Sequence, residues 1–509
     1  MQDNLHPSWR YWMSEIVLTA DRSLMSDYGG GIFVGFAACA PKLIPEWLYK
    51  RLLCPPIPEH DGIAKFAPCG TRKIEAALLE KGFDISVAHP EHLHKVINEE
   101  TKAVGITAND PLGLGPASST FSGLIRKETY TAFYHRKLLA NSSLRENGAK
   151  VIAGGPGAWQ LADERIMTKL GIDCVVVGEG EITAVEMFER ALNGEKLPRV
   201  VDGEVVPLKR IPSIKNPTIC GLVEIARGCG RGCKFCIPTL LNYRYRPIKQ
   251  ILDEIKVNLN AGAEGALLHA EDVLRYGAKG VIPDEEKVTK LFRAALKLTN
   301  NVWLSHIAFA SVMAKPSLIE RLTEMLNSKS NKELRISSQV GIETGSPRLV
   351  REHMSGKVAP FKPDEWPEVV VEAHKLLCDN NWQPCSTLIM GLPKETSEDV
   401  MKTVELVERL DEYNSLIVPL FFVPIGALDT KKFFTVEDML PEHWMLLGAC
   451  VKHDMKWVGE MADGYFQSRP IQKILVGKFI LNLMKKKLKP YIKQMEQGIN
   501  PLSKQHPKD

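Results

Sequence analysis

The 509-residue chain lacks several features that would classify it at once. No apolar run reaches the roughly 20 residues that a membrane-spanning helix needs. Met1 to Arg10 is polar and contains Pro7, so no basic region followed by an apolar core marks a secretory leader. Neither sign of charge is in excess. The 65 Lys and Arg against 61 Asp and Glu leave +4, too little to argue by itself for a nucleic-acid partner. No G-x-G-x-x-G follows an expected strand, which removes the dinucleotide-binding fingerprint. These absences leave a cytoplasmic chain of about two to four domains. Its hydrophobic share of 44% is ample for buried cores.

Cysteine is where the sequence becomes specific. Of eleven cysteines, three are tightly grouped in Arg227-Gly228-Cys229-Gly230-Arg231-Gly232-Cys233-Lys234-Phe235-Cys236, a C-x3-C-x2-C spacing. One short loop can turn three such sulfurs toward one point, and the interleaved glycines let the backbone bend closely around what they hold. Structural zinc takes four ligands, usually as two separated pairs, and no second pair lies nearby. Disulfides would leave an odd thiol and are rare in a reducing compartment. Three soft thiolates suit a cuboidal iron–sulfur cluster, and the missing fourth leaves one iron open. The preceding Leu222 to Ala226 reads as a strand, so the loop starts at a strand end, where α/β barrels place their chemistry. Cys39, Cys54 and Cys69 are widely spaced, and read either as ligands of an auxiliary cluster or as ordinary buried thiols.

Taken in order, the chain alternates strands and helices. Strands are expected at 15–20, 32–36, 84–88, 103–107, 150–153 and 174–177, with helices at 72–81, 90–97, 130–146, 158–170 and 183–192. The strands are mostly apolar, which argues a doubly wound, Rossmann-like parallel sheet within residues 1–200. Ligands of such sheets bind at the carboxyl ends of strands. Three ends are marked: Asn109-Asp110-Pro111-Leu112-Gly113, Gly154-Gly155-Pro156-Gly157, and Gly178-Glu179-Gly180-Glu181. Residues 201–220 are proline-rich and read as a linker. From 221 to 435 the alternation resumes with six strands. Six strands do not close a barrel at ordinary tilt, which predicts a partial (β/α)6 barrel. His269 and His306 end two of these strands. Residues 436–509 read as helical, and Ile471 to Lys489 has a lysine-rich face, Lys485, Lys486 and Lys487 included. That helix is expected to dock on the barrel, with a membrane surface as the other reading.

The cysteine loop resembles the signature of radical S-adenosylmethionine (SAM) enzymes, and the glycine turns before it resemble the cobalamin-binding domain of their class B. The resemblance covers about Thr71 to Leu428. It implies that Cys229, Cys233 and Cys236 hold a four-iron four-sulfur cluster whose open iron chelates SAM. It implies SAM contacts from Phe235, Glu271, Asp272, Glu343, Ser386, Gly391 and Pro393. It places cobalamin against Pro111, Leu112, Gly113, Gly154, Gly155, Pro156, Gly157, Gly178, Glu179, Gly180 and Glu181. No D-x-H-x-x-G supplies a histidine as lower axial ligand, which fits the base-off state of this class.

What the resemblance implies chemically is methylation of an unactivated sp3 carbon. One SAM methylates the cobalamin, and another is reductively cleaved to a radical that abstracts hydrogen from the substrate. An external electron donor and an anaerobic host are implied with it. The opening H-P-S-W-R and the loop N-D-P-L-G-L-G-P resemble archaeal, methanogen-type members. Among these are enzymes that C-methylate a glutamine of the methyl-coenzyme M reductase alpha chain, a protein modification. A hopanoid-type lipid methylase and a non-catalytic cobalamin or redox sensor are the alternatives. No nucleic-acid partner is expected.

Overall fold

The computed structural model of the chain describes residues 14–28, 36–328, 335–466, 482 and 485–502. All of the expected strand at 32–36 but Phe36, which opens a short 3-10 turn, and most of the helix from Ile471 lie outside them, but residues 485–495 are helical.

The amino-terminal half is built on a six-stranded sheet. Its strands are β1 (Ile16–Ala20), β2 (Ile85–Val87), β3 (Ala103–Thr107), β4 (Lys150–Gly154), β5 (Cys174–Gly178) and β6 (Val200–Gly203). All pair in parallel, in the order β2-β1-β3-β4-β5-β6. The connections therefore leave β1 toward opposite edges, and the β1/β3 boundary is the switch point where such sheets open a crevice. The side chains of β1 to β5 are mostly buried on both faces, one against α1 (Cys69–Glu80) and α5 (Thr183–Leu192). Helices α2 (Pro116–Ile125), α3 (Tyr130–Leu139) and α4 (Glu164–Leu170) lie between β3 and β5 in the chain.

Three local expectations change. Helix α2 begins on Pro116 at its first turn, in a stretch whose glycines and prolines read as loop. Its Thr120 hydroxyl accepts from the Phe421 amide at 2.7 Å, so tertiary contact with the second half holds it. The helix expected at 158–170 is split. Ala158–Gln160 is a single tight turn, and the Asp163 carboxylate caps a new helix by accepting from the Arg165 and Ile166 amides. β6 falls in a stretch read partly as linker, because its four residues, Val-Val-Asp-Gly, are too few to show a strand period.

The second half places six parallel strands in sequence order: β7 (Leu222–Glu224), β8 (Ala266–His269), β9 (Val302–Leu304), β10 (Ile336–Glu343), β11 (Trp382–Met390) and β12 (Leu416–Phe421). The β9 and β10 ends join where the Ile307 amide donates to the Gln339 carbonyl at 3.0 Å and the Gln339 amide to that of Ser305 at 2.9 Å. This is the partial barrel expected, open between β7 and β12. Helices α6 (Ile248–Asn260), α7 (Glu285–Ala295), α8 (Phe309–Ala314), α9 (Pro316–Asn327), α10 (Pro347–His353), α11 (Trp366–Asp379) and α12 (Ser397–Arg409) follow the chain around it. Helix α13 (Pro441–Phe466) docks on β12, where Asp454 accepts from the Ile417 amide at 2.8 Å.

The two halves are fastened through buried ions. Glu254 of α6 is fully buried and meets Lys73 of α1 at 2.5 Å and Arg246 at 2.6 Å. Removing one partner from such a network leaves uncompensated buried charge, a loss of about 3–5 kcal/mol. Glu254→Gln, which leaves two buried cations facing a neutral amide, is expected to lower the unfolding free energy by that amount. A urea midpoint equal to that of the unaltered protein would show the network to be dispensable.

Candidate functional site

A cavity of about 630 Å³ lies where the two halves meet. On one side it is lined by the strand ends of the first sheet: Gly105 to Thr107, Gly154 to Pro156, and Gly178 to Glu181. Leu18, Ile74, Ile152, Val176 and Phe188 carry it inward as an apolar pocket between the sheet and helices α1 and α5. On the other side stand Glu224, Ala226, Arg227 and Gly228 at the end of β7, His269 and Glu271 at the end of β8, and Pro424 to Gly426 after β12. The barrel's two open edges and the first sheet's crevice therefore face one space.

The cysteine loop borders this space, with Gly228 on one side of the thiols and Ile237 on the other lining it. Gly228 has φ +71°, and a Cβ there would sit 2.4 Å from the Asn242 carbonyl, so only glycine fits that turn. The loop is held by two buried arginines. Arg231 donates to the carbonyls of Lys357 (2.9 Å) and Ala359 (3.0 Å), and to Ser311 Oγ and Asp272 Oδ2 at 2.9 and 3.2 Å. Arg275 donates to the Cys229 carbonyl at 2.5 Å. The Cys236 thiol donates to Cys233 and so lowers the Cys233 thiol; burial opposes the shift and the nearby Lys357 ammonium adds to it. The same bond, followed by burial, raises Cys236, and burial raises Cys229. Among the described residues no three His, Cys, Asp or Glu side chains converge as a single-ion site. A cuboidal cluster does not require it, since each thiolate takes a different iron.

Arg227, just before the loop, ties the halves together at the cavity wall. It donates to Glu179 Oε2 at 2.8 Å, Glu181 Oε1 at 2.5 Å, and both oxygens of Glu224 at 2.7 and 3.0 Å. Arg244 also binds Glu179. Burial raises Glu224, but the Arg227 charge outweighs it and holds the carboxyl down at about 2. Glu179 and Glu181 thus line the cavity as anions already committed to arginine.

The other expected site residues separate into groups. Gly154, Gly155, Pro156, Gly178 and Gly180 line the cavity, as does Glu271, which has no hydrogen-bond partner among the described residues. Pro111, Leu112, Gly113 and Gly157 do not line it. Their loop folds on itself instead: Gln160 donates to Asp110 at 2.7 Å and accepts from the Leu112 amide at 2.9 Å, and Gly157 packs against the Asn109 carbonyl. Asp272 is closed off by Arg231 and Ser311. Glu343 pairs with Lys357, whose own charge is opposed by burial but raised by Glu343 and Cys233. Ser386 faces away, toward His374 of α11 at 3.2 Å. Phe235 packs with Leu349, Leu392 and Phe422, Gly391 abuts Phe434, and the Pro393 carbonyl accepts from His353. Cys39, Cys54 and Cys69 stand apart: Cys39 beside Ser118, Cys54 beside Arg22, and Cys69 near Lys73. They form no shared ligand group. Arg227, Arg231 and Arg275 were missed by sequence reasoning, since an arginine's partners come from distant segments.

Residues 223–407 match the family described as the Radical SAM superfamily. The match takes in the cysteine loop and strands β8 to β11. A radical SAM domain implies a four-iron four-sulfur cluster and SAM. The residues present fit both: three thiols on one glycine-bent loop, and a carboxylate without a partner, Glu271, opening on the adjoining cavity. Around the domain, the chain is similar in fold to the radical SAM methyltransferase TsrM from Kitasatospora setae, solved with cobalamin and a 4Fe-4S cluster bound. The TM-score is 0.53 at 14% identity, covering 82% of this chain and 74% of TsrM. In sequence it is 24% identical to an uncharacterized protein of Methanopyrus kandleri, over 69% of this chain and 72% of that one. It is also 24% identical to the tRNA-2-methylthio-N(6)-dimethylallyladenosine synthase of Thermotoga petrophila, over 51% of this chain. The match spans only 56% of that synthase's length. No helix among the described residues is long and apolar enough to cross a membrane.

Proposed function

We propose that the chain is a cobalamin-dependent radical SAM C-methyltransferase. Its substrate on this reading is an unactivated sp3 carbon of a protein, the glutamine of the methyl-coenzyme M reductase alpha chain. The observation that carries the methyltransferase reading is the shared cavity, which joins glycine-rich strand ends of the first sheet to the cysteine loop. TsrM, with a similar fold, holds cobalamin and a cluster. When bound, the cluster with SAM supplies radical chemistry at carbon, and cobalamin supplies the methyl group.

This chain's residues would hold and align these groups. Cys229, Cys233 and Cys236 would ligate iron, and Glu271 would accept from the SAM amine. Arg227 fixes the root of the cysteine loop against Glu179 and Glu181, so the two cofactor regions keep one spacing. The apolar walls of Leu18, Ile152, Val176 and Phe188 keep water from the inner pocket. An external donor would supply electrons.

A methylthiotransferase reading is favoured by one observation, the sequence likeness to tRNA-modifying relatives. The separate surroundings of Cys39, Cys54 and Cys69 count against an amino-terminal auxiliary cluster. Anaerobic reconstitution decides between the two. The methyltransferase reading expects roughly four irons and a single cobalamin per chain, with a target peptide gaining one methylene in mass. Twice that iron without cobalamin, and a gain of sulfur, would replace it with the methylthiotransferase.

A further inference from the structure

His269 ends β8 and lines the cavity two residues before Glu271. Its surroundings determine what it offers there. Ser305 Oγ, after β9, lies 3.0 Å from His269 Nδ1, 3.2 Å from the Ala270 carbonyl and 3.4 Å from the Ala270 amide. A hydroxyl has one proton to give and two lone pairs to receive with. The carbonyl can only accept and the amide can only donate, so the arrangement that satisfies all three contacts at once gives the Ser305 proton to the Ala270 carbonyl. The remaining bond then requires the His269 proton on Nδ1, an assignment from the network as a whole. In the neutral ring this leaves Nε2 as a bare acceptor. Nε2 has no partner among the described residues.

The neighbouring groups do not reverse this. The His306 ring stands edge-on at 5.6 Å, and burial, then His269, hold it down at about 4, so it adds no positive charge. The cavity's Arg227 is committed to three carboxylates. Glu271, the other polar group nearby without a partner, can only accept when ionised. The barrel side of the cavity therefore presents acceptors and asks for a donor.

We propose that His269 is the specificity-determining residue for the substrate, accepting a hydrogen bond from a neutral N–H donor of carboxamide type. This rests on the methyltransferase reading above and narrows its substrate. A carboxamide side chain offers two N–H donors, whereas a hydrocarbon lipid offers none. An acceptor left unpaired in a buried site costs its desolvation, roughly a ten- to hundredfold penalty against a ligand without the donor.

The test uses the reconstituted full chain and two peptides of the methyl-coenzyme M reductase alpha chain. One carries the glutamine; in the other a methyl ketone replaces the carboxamide and removes its N–H groups. The unaltered protein is expected to bind the glutamine peptide at least about tenfold more tightly. His269→Leu should abolish that preference by weakening the glutamine peptide alone. His269→Gln, whose amide oxygen can stand near the Nε2 position, should restore most of it. Equal binding of both peptides by the unaltered protein, or equal loss of both in His269→Leu, overturns the assignment of His269 while methyl transfer continues. Loss of SAM binding in the same variant assigns His269 to the cofactor and likewise overturns it. If the unaltered protein binds and methylates neither peptide, the protein-substrate reading falls and this proposal with it.

Discussion

Replacing Cys229, Cys233 and Cys236 together by Ala is expected to remove iron from the reconstituted protein and to end reductive cleavage of SAM. The effect is total because the three thiolates act as one unit: each holds a different iron of one cluster, so their losses do not add independently. The variant should remain folded. Cys229 and Cys236 are partly exposed, and Cys233 at 6% exposure loses only its sulfur from the edge of the barrel core. The loop's position does not depend on sulfur either, since Arg231 and Arg275 hold it through backbone carbonyls. Iron content, visible absorbance and 5′-deoxyadenosine are the readouts, with circular dichroism to show an intact fold. A folded triple variant that keeps its iron or still yields 5′-deoxyadenosine would remove the cysteine loop from the chemistry.

The parts legible in the sequence are those written in short-range patterns. The C-x3-C-x2-C group, the apolar strands and the glycine turns after β4 and β5 are each visible within about ten residues. The partial barrel followed from counting strands. What stayed hidden depends on pairs far apart in the chain. Glu179 and Glu181 looked like ligand-binding acids beside two glycines, yet 48 and 46 residues separate them from Arg227, which occupies them. The loop from Pro111 to Gly113 looked like a third binding turn. Its direction is set by Gln160, and the helix that follows from Pro116 is tied to Phe421 through Thr120. Asp272 matched the expected acid position as well as Glu271 did. A buried arginine and a serine separate the two residues' roles, and neither adjoins them in sequence. His269 was visible as a strand-end histidine, but the proton assignment that gives it a use comes from a serine one strand away.

A leucine at Gly154 is expected to cut cobalamin binding sharply without harming the fold, and it tests the first sheet's site better than its neighbour would. Gly155 has φ +104°, and a Cβ there would lie 2.7 Å from the Ala108 carbonyl. Any side chain at Gly155 strains the turn itself, by about 1–3 kcal/mol before its bulk is counted. Loss of ligand in Gly155→Trp would therefore not separate a filled site from a broken one. Gly154 lines the same cavity without that constraint: its φ is not positive, and the nearest atom to an added Cβ is the Val176 carbonyl at an ordinary 3.6 Å. Four carbons added there occupy space the ligand would need. Overpacking of about 1–3 kcal/mol translates into roughly 5- to 150-fold weaker binding. Cobalamin retained after anaerobic gel filtration should fall accordingly. The melting temperature should stay within a few degrees of the unaltered protein, and the iron content should be unchanged, because the cysteine loop lies across the cavity on the barrel side. Full cobalamin content in folded Gly154→Leu would show that the sheet's carboxyl ends are not where cobalamin binds. Parallel loss of iron would show instead that the substitution disturbs the junction between the halves, which the Arg227 bridge to Glu179 and Glu181 is built to hold.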